Sequence, residues 1–162
     1  MPKVLVVYYS LEGTTRRVAE SIAKATDGDL LALRPRQEIK ARGFFKYVIG
    51  GFQALTKKKP ALHPLEKAPQ DYDLLFIGTP VWAGHCTPPL RSFFAQTDLQ
   101  DKAIALFCTY RGGVGSTFED MRAELESSRI LGERAFAEPV DQEEPPSLRW
   151  AEEILSRYDG AH

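Results

Sequence analysis

Residues 3–20, KVLVVYYSLEGTTRRVAE, decide the fold: Val4 to Tyr8 run apolar into a turn containing Ser10, Glu12, Gly13, Thr14 and Thr15, after which the apolar period changes. The run is too short for a free helix and reads as a strand covered on both faces. Beyond the turn, Val18, Ile22 and Ala25 recur at helical spacing, with Arg16, Arg17, Glu20 and Lys24 facing away. The turn therefore lies at the positive end of a helix dipole, where unpaired amides and hydroxyls favour an anion.

An ordinary strand-to-helix corner with Thr14 as N-cap is the competing reading. Two nucleotide motifs are excluded by residue type, since the turn has neither a Gly-Lys-Ser/Thr ending nor a G-x-G-x-x-G pattern. What remains is a hydroxyl-rich loop suited to a monoester phosphate. Ser10, Glu12, Gly13, Thr14 and Thr15 together resemble the FMN phosphate loop of the flavodoxin family.

The rest of the chain alternates in the same manner. Leu30–Leu33 is a short second strand, Tyr72–Thr79 a third, Ala103–Phe107 a fourth and Ile130–Ala137 a fifth, interrupted by Gly132 and Arg134. Helices are expected from the stripe of Leu90, Phe93 and Phe94 after Pro89, that of Phe118, Met121 and Leu125, and that of Leu148, Ala151, Leu155 and Tyr158. Alternating strands and helices predict an α/β domain, a doubly wound parallel sheet with helices on both faces. The resemblance implies five strands in the order 2-1-3-4-5, for which flavodoxins are the reference case.

Two later loops carry the resemblance further. Thr79-Pro80-Val81-Trp82-Ala83-Gly84, leading to Pro88-Pro89, is similar to the second flavin-contacting loop of the family, and Thr109-Tyr110-Arg111-Gly112-Gly113 stands at the third. By that resemblance Ser10, Thr14 and Thr15 hold the FMN phosphate with the amides around Gly13. Trp82 and Tyr110 flank the ring, and the backbone of Thr79 to Gly84 and Thr109 to Gly113 meets its polar edge. Gly84 would let a peptide turn over when the ring is half reduced. Glu12 is expected to face outward with Arg16 offsetting it. The third loop lacks the carboxylates common in low-potential flavodoxins and offers Arg111, which predicts a less negative potential.

Composition sets the outer bounds. The chain has 162 residues, 43% hydrophobic and 27% charged, which suits one globular domain over residues 1–162. No apolar run reaches the ~18 residues of a membrane span, and no cationic leader precedes the first strand, so a cytoplasmic location is expected. Cys86 and Cys108 are read as free thiols, and His63, His85 and His162 lack ligand spacing, so no metal site is expected. Between Arg34 and His63, eight basic residues against Glu38 alone give +7, leaving −8 for the remainder of a chain whose net charge is −1. Phe44, Val48, Phe52 and Leu55 suggest a basic amphipathic insert at about 35–65, either a docking element or a solvated face. No nucleic acid partner is expected.

Three functional classes stay open. One is an FMN protein carrying electrons between redox partner proteins. A second is an FMN-dependent NAD(P)H:quinone-type reductase acting on a small quinone-like acceptor. The third is a flavin-free module that uses the phosphate loop for another anion. No catalytic side chain is singled out.

Overall fold

A computed structural model describes residues 1–37, 59–140 and 145–160. The strands are β1 (Val4–Tyr8), β2 (Asp29–Ala32), β3 (Leu74–Pro80), β4 (Ala103–Tyr110) and β5 (Arg129–Ala137). They form one sheet in the order β2-β1-β3-β4-β5, every neighbouring pair parallel. The described helices are α1 (Thr14–Thr26), α2 (Pro88–Gln96), α3 (Thr117–Ala123) and α4 (Pro146–Gly160).

Strand alternation divides the core into two layers. Leu5, Val7, Leu75, Ile77, Ile104 and Leu106 pack toward Leu90 and Phe93 of α2 and Met121 of α3. Val4, Val6, Phe76, Ala105 and Phe107 pack toward Val18 and Ile22 of α1 and Trp150 and Ile154 of α4. Both faces being covered explains why β1 is apolar at every position instead of every second one. Gly78 on β3 is required by this packing: a Cβ there would stand 2.1 Å from Phe107 Cζ.

The stripe expected on the last helix is rotated by about one residue. Its buried residues are Ser147, Trp150, Ala151 and Ile154, whereas Leu148, Leu155 and Tyr158 lie at the margin. Trp150 is drawn inward by edge-on contacts with Phe76 at 5.5 Å, Phe136 at 6.0 Å and Phe107 at 6.4 Å. β5 runs unbroken through Gly132 and Arg134, and the irregularity is a register shift at Ile104/Ala105.

The centre of the basic segment, residues 38–58, lies outside the described residues, and with it the expected amphipathic stripe. Its two ends meet: Pro35 bridges Leu62 antiparallel, and the Arg36 amide donates to the Ala61 carbonyl at 2.8 Å. Among the described residues no helix is long and apolar enough to cross a membrane, and no cluster of three potential metal ligands occurs.

Candidate functional site

A cleft of about 300 Å³ opens at the carboxyl ends of β1, β3 and β4. In this strand order the chain leaves β1 and β3 in opposite directions along the sheet, and such a reversal leaves a crevice between neighbouring loops. The cleft gathers residues from all three loops singled out in the sequence. Of those expected there, only Gly13 and Thr79 do not line its wall, and Leu11 and Glu138 join them.

The first loop is a helix N-terminus left open. Gly13 is the N-cap of α1, with φ 98° and ψ −10°, a left-handed conformation suited to glycine, and no side chain caps the helix. The first helical bond is donated by the Arg17 amide to the Gly13 carbonyl at 3.0 Å, so the amides of Thr14, Thr15 and Arg16 have no partner within the helix. Ser10 Oγ accepts the Gly13 amide at 3.0 Å and retains its own proton for donation. Thr14 is not the N-cap and faces the cleft. Thr15 is buried, its hydroxyl 2.8 Å from that of Thr109, which ties the first turn of α1 to the end of β4.

The second loop is a hairpin. Trp82 and His85 exchange both backbone hydrogen bonds at 3.0 Å, with Ala83 at φ 50° and Gly84 at φ 78° between them. Two successive positive φ values define a type I′ turn. The Gly84 carbonyl accepts the Ser116 amide at 2.7 Å, and Gly115 lies so near that a Cβ on it would be 2.5 Å from Gly84 Cα. Trp82 is only 5% exposed and stands edge-on to Tyr9 at 5.8 Å, so it shows the cleft a rim and gives the core its body. Thr79 is buried beneath the loop, donating to the Pro80 carbonyl at 2.8 Å and accepting the Thr87 amide at 3.1 Å. It braces the wall from behind.

The third loop places Tyr110, Arg111, Gly112 and Gly113 on the opposite side. Arg111 is 63% exposed, and its guanidinium donates to Glu138 and, at 3.2 Å, to Glu12. The third loop itself holds no carboxylate, as expected, but Arg111 meets two from outside it, and the trio of Glu12, Arg111 and Glu138 carries a formal charge of −1. Arg16 pairs with Glu20 at 2.9 Å, and the cation paired with Glu12 is Arg111.

Behind the hairpin lies a cluster with no signal in the sequence spacing. Asp120 Oδ2 is 2.9 Å from His85 Nδ1, 3.2 Å from Arg91 Nη2 and 3.3 Å from the Cys86 amide. Arg91 is 4% exposed. The carboxylate thus binds the hairpin's exit to α2 and α3. Cys86 and Cys108 are free thiols, as expected, and burial pushes each up to about 12.

Comparison with known proteins gives the same fold. A flavoprotein from Lactobacillus acidophilus, solved in complex with FMN, superposes with a TM-score of 0.72 at 24% identity, covering 83% of this chain and 93% of the other. A Bacteroides uniformis protein assigned as a flavoprotein reaches 0.78 at 22% identity, covering 93% and 97%. The two-electron reduced flavodoxin of Megasphaera elsdenii gives 0.61 at 16%, covering 94% and 98%. These likenesses establish the fold. The sequence model for flavodoxin matches residues 3–144, which hold all five strands of the sheet and all three loops of the cleft. The chain therefore belongs to the flavodoxin family.

Proposed function

We propose that this chain binds FMN in the cleft and transfers electrons between redox partners. The observation that carries the reading is the uncapped N-terminus of α1. Amides of Thr14 and Thr15, without a partner among the described residues, converge with the hydroxyls of Ser10 and Thr14 where a phosphate monoester is favoured by hydrogen bonding and by the helix dipole. Gly13 suits such a cradle, because a Cβ there would meet nothing within 4 Å and the space beside the loop is open. FMN supplies the redox chemistry when bound.

The remaining residues divide the work of holding it. Thr14, Thr15, Gly13 and Ser10 form the phosphate end. Val81 to Gly84 and Thr109 to Gly113 supply backbone along the planar part, with Pro80, Tyr110 and the rim of Trp82 completing an apolar wall that excludes water. Thr79 braces the second loop from behind, and Glu12 and Arg111 stand at the mouth. The FMN complex of the Lactobacillus acidophilus protein, similar in fold, supports the choice of cofactor.

The direct test is the visible spectrum of the purified chain after incubation with FMN and removal of the excess. One bound flavin per chain that is bleached by dithionite and restored by a chemical oxidant supports the proposal. A colourless protein that leaves FMN free would overturn it in favour of a flavin-free module.

A further inference from the structure

We propose that Arg111 is a latch across the cleft mouth, carried by Glu138 on one wall and caught by Glu12 on the other, and that it sets how fast the cofactor enters and leaves. The inference rests on the FMN reading above and adds to it the regulation of the same site. Its starting point is the reach of one guanidinium. Nε donates to Glu138 just past β5, while Nη2 donates at 3.2 Å to Glu12 Oε2 in the first loop. All three side chains line the cleft.

The two contacts are not equivalent. The Glu138 side chain is 17% exposed, and its backbone amide donates to the Tyr110 carbonyl at 2.8 Å, so Arg111 and Glu138 belong to one wall, the adjoining ends of β4 and β5. The Glu12 side chain is 36% exposed and stands on the other wall. When the contact with Glu12 opens, the guanidinium keeps one carboxylate and Glu12 is taken up by water. That contact is therefore the half that yields, and an exposed pair of this kind biases a population by a factor of up to about 5.

The third loop lets the arm swing. It is pinned before Arg111 at the Tyr110 carbonyl and after it by the Ser116 amide, which donates to the Gly84 carbonyl at 2.7 Å. Between these pins Gly112 and Gly113 are exposed and have no backbone hydrogen bond among the described residues. Space around them is open, since a Cβ on either would meet nothing within 4 Å.

With the latch closed the cleft still measures about 300 Å³, a volume found among small-molecule sites, so a ligand and a closed latch coexist. Passage through the mouth needs the open form in both directions. Loop motions are fast beside cofactor exchange, so entry and exit both scale with the open population. A latch thus changes two rates together and leaves their ratio, the affinity, nearly alone. Charge acts differently on a phosphate dianion: loss of the Glu12 carboxylate speeds its entry, and loss of the Arg111 guanidinium slows it.

The test is stopped-flow flavin fluorescence, with FMN entry followed on mixing with apo-protein and release followed on dilution, for the wild type, Glu12→Gln and Arg111→Ala. Entry and release should both be about two- to fivefold faster in each variant, with affinity held within about twofold. Faster entry in Glu12→Gln with slower entry in Arg111→Ala would reduce the trio to charge steering and overturn the latch. Unchanged rates, or faster release alone, would overturn it as well. In the apo-proteins, amide relaxation of Gly112 and Gly113 should show larger motion in both variants than in the wild type. If none of the three proteins holds FMN, the cofactor assignment fails instead, and unaltered relaxation in both variants overturns the latch without it.

Discussion

Arg111 reaches across the cleft mouth to Glu12, Nη2 to Oε2 at 3.2 Å, joining residues 99 positions apart in the chain. The same guanidinium holds Glu138, so it links the first loop, the third loop and the end of β5. Its charge is more than matched by its partners. A ring that becomes anionic on full reduction would feel this rim as slightly repulsive.

Replacing Arg111 by Ala strips the only cation from this trio and should make the potential of bound flavin more negative. Glu138→Gln should move it the other way. Arg111 is solvent-exposed and Glu138 half-buried at the cleft mouth, so each effect should be ~1 kcal/mol at most, about 40 mV for one electron. Potentiometric titration of the two variants beside the wild type measures both signs. Shifts in the same direction would show that the trio acts through loop position and not through charge.

Thr15 and Thr109 predict a separation between stability and binding. Their hydroxyls satisfy each other in a buried site, so Thr15→Val leaves Thr109 without that partner and should lower unfolding free energy by about 1–2 kcal/mol. Denaturant titration of the apo-protein reads this. FMN affinity should fall less than in Thr14→Ala, whose hydroxyl faces the cleft.

Trp150→Ala should be among the most damaging core substitutions. The indole fills the space among Phe76, Phe107 and Phe136, and its loss should cost about 3–5 kcal/mol. Thermal or denaturant unfolding checks it, and a loss below ~1 kcal/mol would mean that α4 repacks.

Alkaline conditions should weaken the fold through Cys86 and Cys108. Both thiols are raised to about 12 in the folded state against an ordinary value of 9.0. The unfolded chain therefore releases these protons first, and their contribution to stability, fully present below about pH 9, declines as pH rises toward 12. The slope approaches about 1.4 kcal/mol per pH unit for each thiol. Denaturant midpoints at several pH values, compared with the double Cys→Ala variant, should show a shallower decline in the variant. Over the same lower range neither thiol should react in the folded protein with a thiol reagent.

Local signals made much of this legible from sequence. The apolar run of β1, the glycine and hydroxyl turn and the change to helical period sit within residues 3–20, and the three loops follow their strands directly. What escaped is non-local. Glu138 is 27 positions from Arg111, and Asp120 lies 35 positions from His85, so neither partnership leaves a trace in spacing. The buried face of the closing helix lies one residue from its apolar stripe because Trp150 packs on three rings from β3, β4 and β5, which periodicity within the helix does not contain. By sequence Trp82 reads as a residue of the site, and its packing on Tyr9 makes it part of the core as well.

The most direct test of the site is calorimetric titration of the apo-protein with FMN and with riboflavin, for the wild type and Thr14→Ala. The open N-terminus of α1 predicts that the wild type prefers FMN strongly and that Thr14→Ala narrows the preference by weakening FMN alone. Equal affinity of the wild type for both ligands, or equal losses in the variant, would contradict the assignment of the first loop as the phosphate cradle.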